Sequence, residues 1–106
     1  MTSGQGFRLH PGAASDITGL WEFIAEDGLH AAGRVRKDIL EAIRKLVPFP
    51  QQGHQRMDLT SRPLRFWTAH KYLIAYAPDE TPLLVIAVLD GRRNPRVIEA
   101  ILRGRQ

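Results

Sequence analysis

At 106 residues, with 43% hydrophobic and 25% charged residues, the chain is sized for one domain, residues 1–106, around one core. It contains no cysteine, which excludes disulfides, thiolate zinc sites and cysteine nucleophiles and suits a reducing compartment. The net charge of +4 is unevenly spread: residues 1–30 hold one basic residue, Arg8, against Asp16, Glu22, Glu26 and Asp27, and every other cationic side chain follows. Such an imbalance favours an anionic partner, either nucleic acid or an acidic protein segment.

The opening MTSGQGFRLHPG lacks the apolar stretch of a secretory signal. The longest apolar run, LLVIAVL at residues 83–89, falls far short of the roughly 20 residues that a membrane helix needs. A cytoplasmic location without a membrane segment is therefore expected.

Phe7-Arg8-Leu9 alternates as a short strand does. His10-Pro11 then marks a helix start, because proline at the first helical position gives up an N–H that had no partner there. Ala13, Ile17, Leu20, Trp21 and Ile24 recur at spacings of three and four, predicting a helix over residues 11–26 that Asp27-Gly28 ends. Ala32, Val35, Ile39, Leu40, Ile43, Leu46 and Val47 stripe a second helix over residues 30–47, with charged residues mostly off the stripe. The short connection packs the two as an antiparallel hairpin. Pro48 and Pro50 close the second helix, and QQGHQRMDLTSRP, residues 51–63, reads as a long polar loop.

LRFWTAH (residues 64–70) and YLIAYA (residues 72–77) have almost nothing between them and predict a tight antiparallel hairpin turning near His70-Lys71. PDETP is a turn, and LLVIAVL is a third strand apolar enough to be buried on both faces. Asn94 and Pro95 suit the cap and first residue of a short last helix bearing Val97, Ile98, Ile101 and Leu102. The predicted class is α+β in the order β-α-α-β-β-β-α: an antiparallel sheet on an N-terminal helical hairpin, with a short C-terminal helix.

This arrangement contains a tension. In YLIAYA both alternating sets of side chains are apolar, and Phe66 and Trp67 point to opposite faces, so the pattern does not select the face that meets the helices. One helical hairpin covers one face. A last helix of about two turns covers part of the other, and the expectation is an apolar patch with an arginine rim, suited to a protein partner. The alternative is that the last helix and the long loop close that face completely.

Over about residues 7–102 the chain resembles the RelE/ParE toxins of type II toxin–antitoxin systems. RLHPGAASDITGLWEFIAE resembles their opening strand and first helix, with Pro11, Asp16, Leu20, Trp21 and Ile24 in the expected places. Pro50 and Gly53 resemble the pair after the second helix, Arg65 with Tyr72-Leu73-Ile74-Ala75-Tyr76 the hallmark hairpin, and Val88-Leu89-Asp90-Gly91-Arg92-Arg93 the end of the last long strand. Members often carry histidine where this chain has Asp90, which is placed instead to pair with Arg92 or Arg93 and damp their charge.

The resemblance implies one of two activities on one fold. RelE-like members cut messenger RNA on the ribosome, and ParE-like members poison DNA gyrase. Cutting needs a base for the ribose 2′-hydroxyl, an acid for the leaving oxygen, and cations. Arg65, Lys71, Arg92 and Arg93 supply cations, but residues 94–106 lack the tyrosine or histidine that the RelE-like branch places there. Histidines stand at 10, 30, 54 and 70, and only His70 lies near the strands, in a turn. A ribonuclease would use Arg65, His70, Lys71, Arg92 and Arg93.

The chain is closer to the ParE-like branch, so no catalytic residue is expected. Direct nucleic-acid binding is expected only of a ribonuclease. Arg65, Arg92 and Arg93 become the target-binding candidates, and Phe66, Trp67, Tyr76, Arg92 and Arg93 the antitoxin-binding ones. The implied partners are DNA gyrase and a cognate antitoxin of ribbon-helix-helix type with an acidic tail, in a system of the plasmid-stabilising kind. No histidine spacing suits a metal and no glycine-rich loop suits a phosphate, so no metal or cofactor is expected.

Overall fold

The computed structural model describes residues 6–106, so the first five residues of the stretch read for a secretory signal lie outside it. In chain order the elements are β1 (Phe7–Leu9), α1 (Pro11–Ala25), α2 (Leu29–Leu46), a 3₁₀ turn (Pro50–Gln52), β2 (Arg65–Ala69), β3 (Tyr72–Ala77), β4 (Leu83–Asp90) and α3 (Pro95–Arg103). This is the expected order. Both proline-led helices are capped by the preceding residue: the His10 side chain accepts from the Gly12 N–H, and the Asn94 side chain from the Arg96 N–H. Each cap satisfies a donor that the first helical turn leaves unpaired.

The sheet runs β1-β4-β3-β2 and is mixed. β2–β3 and β3–β4 are antiparallel, while β1 lies parallel to β4, with Phe7 opposite Leu83 and Leu9 opposite Val85. The chain must cross from one end of the sheet to the other between β1 and its neighbour, and α1 and α2 occupy that crossing. Their buried stripe, including Ala13, Ile17, Leu20, Ile39, Ile43 and Leu46, packs on one face of the sheet.

Tyr72, Ile74 and Tyr76 of β3 face that hairpin, and Leu73 and Ala75 face away. In β4 the register with β3 shifts: Ala75 pairs with Ala87, but Tyr76 pairs with Val85, leaving Ile86 as an extra residue. A bulge of this kind reverses the alternation. Val85 and Val88 therefore both face the helices, while Ile86 and Ala87, adjacent in sequence, share the opposite face.

The opposite face is closed, contrary to the expected apolar patch. Ile98 and Leu102 of α3 cover one part, and Leu59 and Leu64, from the segment that reads as a polar loop and the residue after it, cover the rest. Phe66, Leu73 and Ala75 beneath them are buried. The loop stays down because polar groups pin it at several places. The Tyr76 hydroxyl donates to the Pro50 carbonyl (2.6 Å) and accepts from the Gly53 N–H (2.9 Å). His54 and Phe66 exchange two backbone hydrogen bonds at 2.8 Å. The Arg62 guanidinium donates to the carbonyls of Leu102 and Arg105, both at 2.8 Å, tying the loop to the C-terminal end of α3. Any side chain at Gly53 would collide with the Tyr76 hydroxyl and crowd the Phe66 carbonyl, so this approach requires glycine.

Candidate partner-binding site

The cations expected to form the site come from both ends of the sheet. At one end two turns lie side by side, because Tyr72 pairs with Asp90. The β2–β3 turn is His70-Lys71, with His70 at φ 55°, a left-handed conformation uncommon outside glycine. The Gly91 N–H donates to the Lys71 carbonyl at 2.9 Å and joins this turn to the one leaving β4.

Asp90 organises the turn that leaves β4. Its carboxylate accepts from the Arg92 backbone N–H (2.9 Å), from Arg92 Nε (3.1 Å) and from Arg92 Nη2 (3.0 Å), while Lys71 Nζ stands 3.8 Å away. The hydrogen bonds from Arg92 hold the Asp90 carboxyl well below the usual carboxylate range and raise the arginine in turn. Arg92 is therefore locally neutralised. Arg93 is different: its backbone N–H donates to the Asp90 carbonyl, and its guanidinium has no hydrogen bond or ion pair among the described residues. It borders a recess of about 340 Å³ between α1 and the β3–β4 end, together with Gly19, Leu20, Phe23, Lys71 and Tyr72.

A second ion pair stands beside the recess. Arg105 donates to both Asp16 oxygens, at 2.6 and 3.0 Å, and to the Ile86 carbonyl at 3.2 Å. Asp16 also accepts from the Val88 N–H at 3.0 Å. β1 ends at Leu9, opposite Val85, so beyond that point β4 has an unpaired edge. The pair occupies the edge groups at Ile86 and Val88 and shields them from another strand.

The sequence model of the ParE toxin of type II toxin–antitoxin systems, parDE, matches residues 7–95. The chain belongs to the ParE toxin family. A cognate antitoxin is therefore its partner in such a system. The match runs from the first residue of β1 to the first residue of α3. No individually curated protein matches the sequence.

In this ParE-family chain the residues singled out from sequence do not form one cluster. Arg92, Arg93 and Lys71 share the β3–β4 end. His70 precedes Lys71 in sequence, but its ring is turned to Asp38 of α2, 2.8 Å away. Arg65 pairs with Tyr76 at the other end of β2 and is engaged with the Gln51 side chain (2.8 Å) and the Gly53 carbonyl (2.7 Å). It anchors the loop.

Phe66 and Tyr76 are buried, at 2% and 0% exposure, so neither offers surface to a partner in this state. The roof and the loop anchor are the physical reason. Trp67 is half-buried with its ring stacked on His54. Sequence reasoning missed Arg105, Gly19 and Phe23. Phe23 sits two residues beyond Trp21 on the exposed side of α1, a position that a core-seeking periodicity discards.

Proposed function

We propose that the protein is a ParE-like toxin that inhibits growth by binding DNA gyrase rather than by cutting RNA. Its cognate antitoxin, in this reading, is a ribbon-helix-helix protein whose acidic tail neutralises it. One observation supports the non-nucleolytic branch: the five residues that a ribonuclease would need do not converge. Four steps along β2 separate Arg65 from Ala69 at the turn, about 13 Å in an extended strand. Arg65 is held by the Gly53 loop there, and His70 is bonded to Asp38 of α2. A base and a cation acting on one phosphodiester must both stand within hydrogen-bond reach of it.

A two-armed assay tests this reading. Purified toxin is expected to inhibit gyrase supercoiling or to trap cleaved DNA, while ribosome-bound message stays intact and the antitoxin reverses the effect. Cuts in message at codon positions, with gyrase unaffected, would move the protein to the RelE-like activity. In this reading the target-binding side chains are Arg93 and Lys71 at the β3–β4 end, with Arg92 holding Asp90 in the turn and Arg65 acting through the loop it holds.

A further inference from the structure

The recess between α1 and the β3–β4 end sets core side chains beside groups that the fold leaves exposed. Its floor is Tyr72 and Val88, and one wall is Leu20 with Phe23, a residue that is 64% exposed. Gly19 also lines it, and a Cβ there would have nothing within 4 Å. Two carboxylates border it, and both are committed: Asp16 to Arg105 and the Val88 N–H, and Asp90 to Arg92. One cation is unmatched and a second is loosely held: Arg93 has no side-chain partner among the described residues, and Lys71 lies 5.7 Å from the Tyr72 ring centroid and shares, at 3.8 Å, a carboxylate that already holds Arg92. An apolar floor, an exposed aromatic lip and a positive rim thus meet in a space of about 340 Å³. That is the small end of ligand pockets and the size of one or two side chains.

We propose that this recess seats an acidic segment of the antitoxin. An apolar side chain enters between Leu20, Phe23 and Tyr72, and a neighbouring carboxylate meets Arg93 and Lys71. The inference rests on the toxin–antitoxin reading and gives it a contact site. Charge complementarity selects the occupant: a second copy of this chain would bring its own +4 against the same rim, whereas a carboxylate finds a free guanidinium fork. It also assigns the adjacent arginines different work. Arg92 holds Asp90, and Arg93 faces the partner.

The test measures, by calorimetry, the affinity of the full-length chain for the product of the gene immediately upstream. Gly19→Trp adds bulk to the lining at a position with no neighbours, and Arg93→Glu reverses the rim. Arg44→Glu makes the same charge change on the exposed side of α2. The first two are expected to weaken binding at least about tenfold each, with the far-UV spectrum unchanged, and the third by less than about twofold. Unchanged affinity in both Gly19→Trp and Arg93→Glu overturns the proposal and leaves the toxin–antitoxin reading standing. An upstream product that does not bind the wild-type chain overturns both. If Gly19→Trp instead abolishes self-association of the isolated chain at unchanged antitoxin affinity, the recess belongs to a second copy and the proposal fails.

Discussion

The Asp90 carboxylate takes three hydrogen bonds from Arg92 alone, backbone and side chain together, and so converts a charged residue pair into a closed turn. A carboxyl held below its ordinary value stabilises the folded state above that ordinary value, about 3.9 for aspartate, and loses the contribution as pH falls through the depressed one. The sign yields a prediction. The difference in urea midpoint between the wild-type chain and Asp90→Asn should be constant from neutral pH down to about pH 4 and should shrink below it. Because the Arg92 side chain is 72% exposed, solvent screens the pair and the difference should be small. Midpoints that already coincide at pH 7 would show that the turn stands without its ion pair. Arg93 gains nothing from this carboxylate; only its backbone N–H is engaged, with the Asp90 backbone carbonyl, which is why its charge remains available.

At the scale of elements, periodicity is a good guide wherever a segment buries one continuous stripe. The helix expected over residues 11–26 is Pro11–Ala25, and that over residues 30–47 is Leu29–Leu46. Strands follow from β-branched and aromatic runs, and the last helix from its Asn-Pro start. What stays illegible depends on single residues in irregular backbone. Leu59 is fully buried yet lies among polar neighbours in QQGHQRMDLTSRP, where no period reveals it. The bulge at Ile86 leaves no mark in a run that is apolar at every position, so neither face of β4 is readable. The candidate site is legible in part: its cations stand out by residue type, but their pairing depends on three-dimensional reach, as in the Asp16–Arg105 contact across 89 positions.

The roof that results from Leu59, Leu64 and α3 makes its own prediction. Leu102→Ala should cost about 2–5 kcal/mol as a core cavity. Arg62→Ala should cost about 1.5–3 kcal/mol, through the carbonyls of Leu102 and Arg105 that it leaves without this donor. Urea unfolding checks both values. Amide exchange in α3 should accelerate in each variant while that in α1 stays slow, because the two helices lie on opposite faces of the sheet. Equal acceleration in both helices would mean that the roof and the hairpin unfold as one unit.

For the whole molecule, closure of both sheet faces changes what the partner has to supply. Had one face stayed open, the antitoxin would complete the core, and the isolated toxin would be unstable or self-associated, since contiguous exposed apolar surface promotes both. Here the large exposed apolar side chains among the described residues, Phe23, Leu29, Phe49, Met57 and Val97, all lie outside the sheet. The chain accordingly has a finished core, and in the proposed reading the antitoxin meets a surface rather than a half-built interior. Unfolding of the purified chain should then be a single cooperative transition, with near- and far-ultraviolet circular dichroism coinciding. Its urea midpoint should not move over a roughly hundredfold range of protein concentration, because a monomer has no mass-action term, whereas an obligate dimer gains stability with concentration. A midpoint that climbs with concentration would mean that a second copy contributes to the fold, and the recess beside Phe23 would be the first place to look for it.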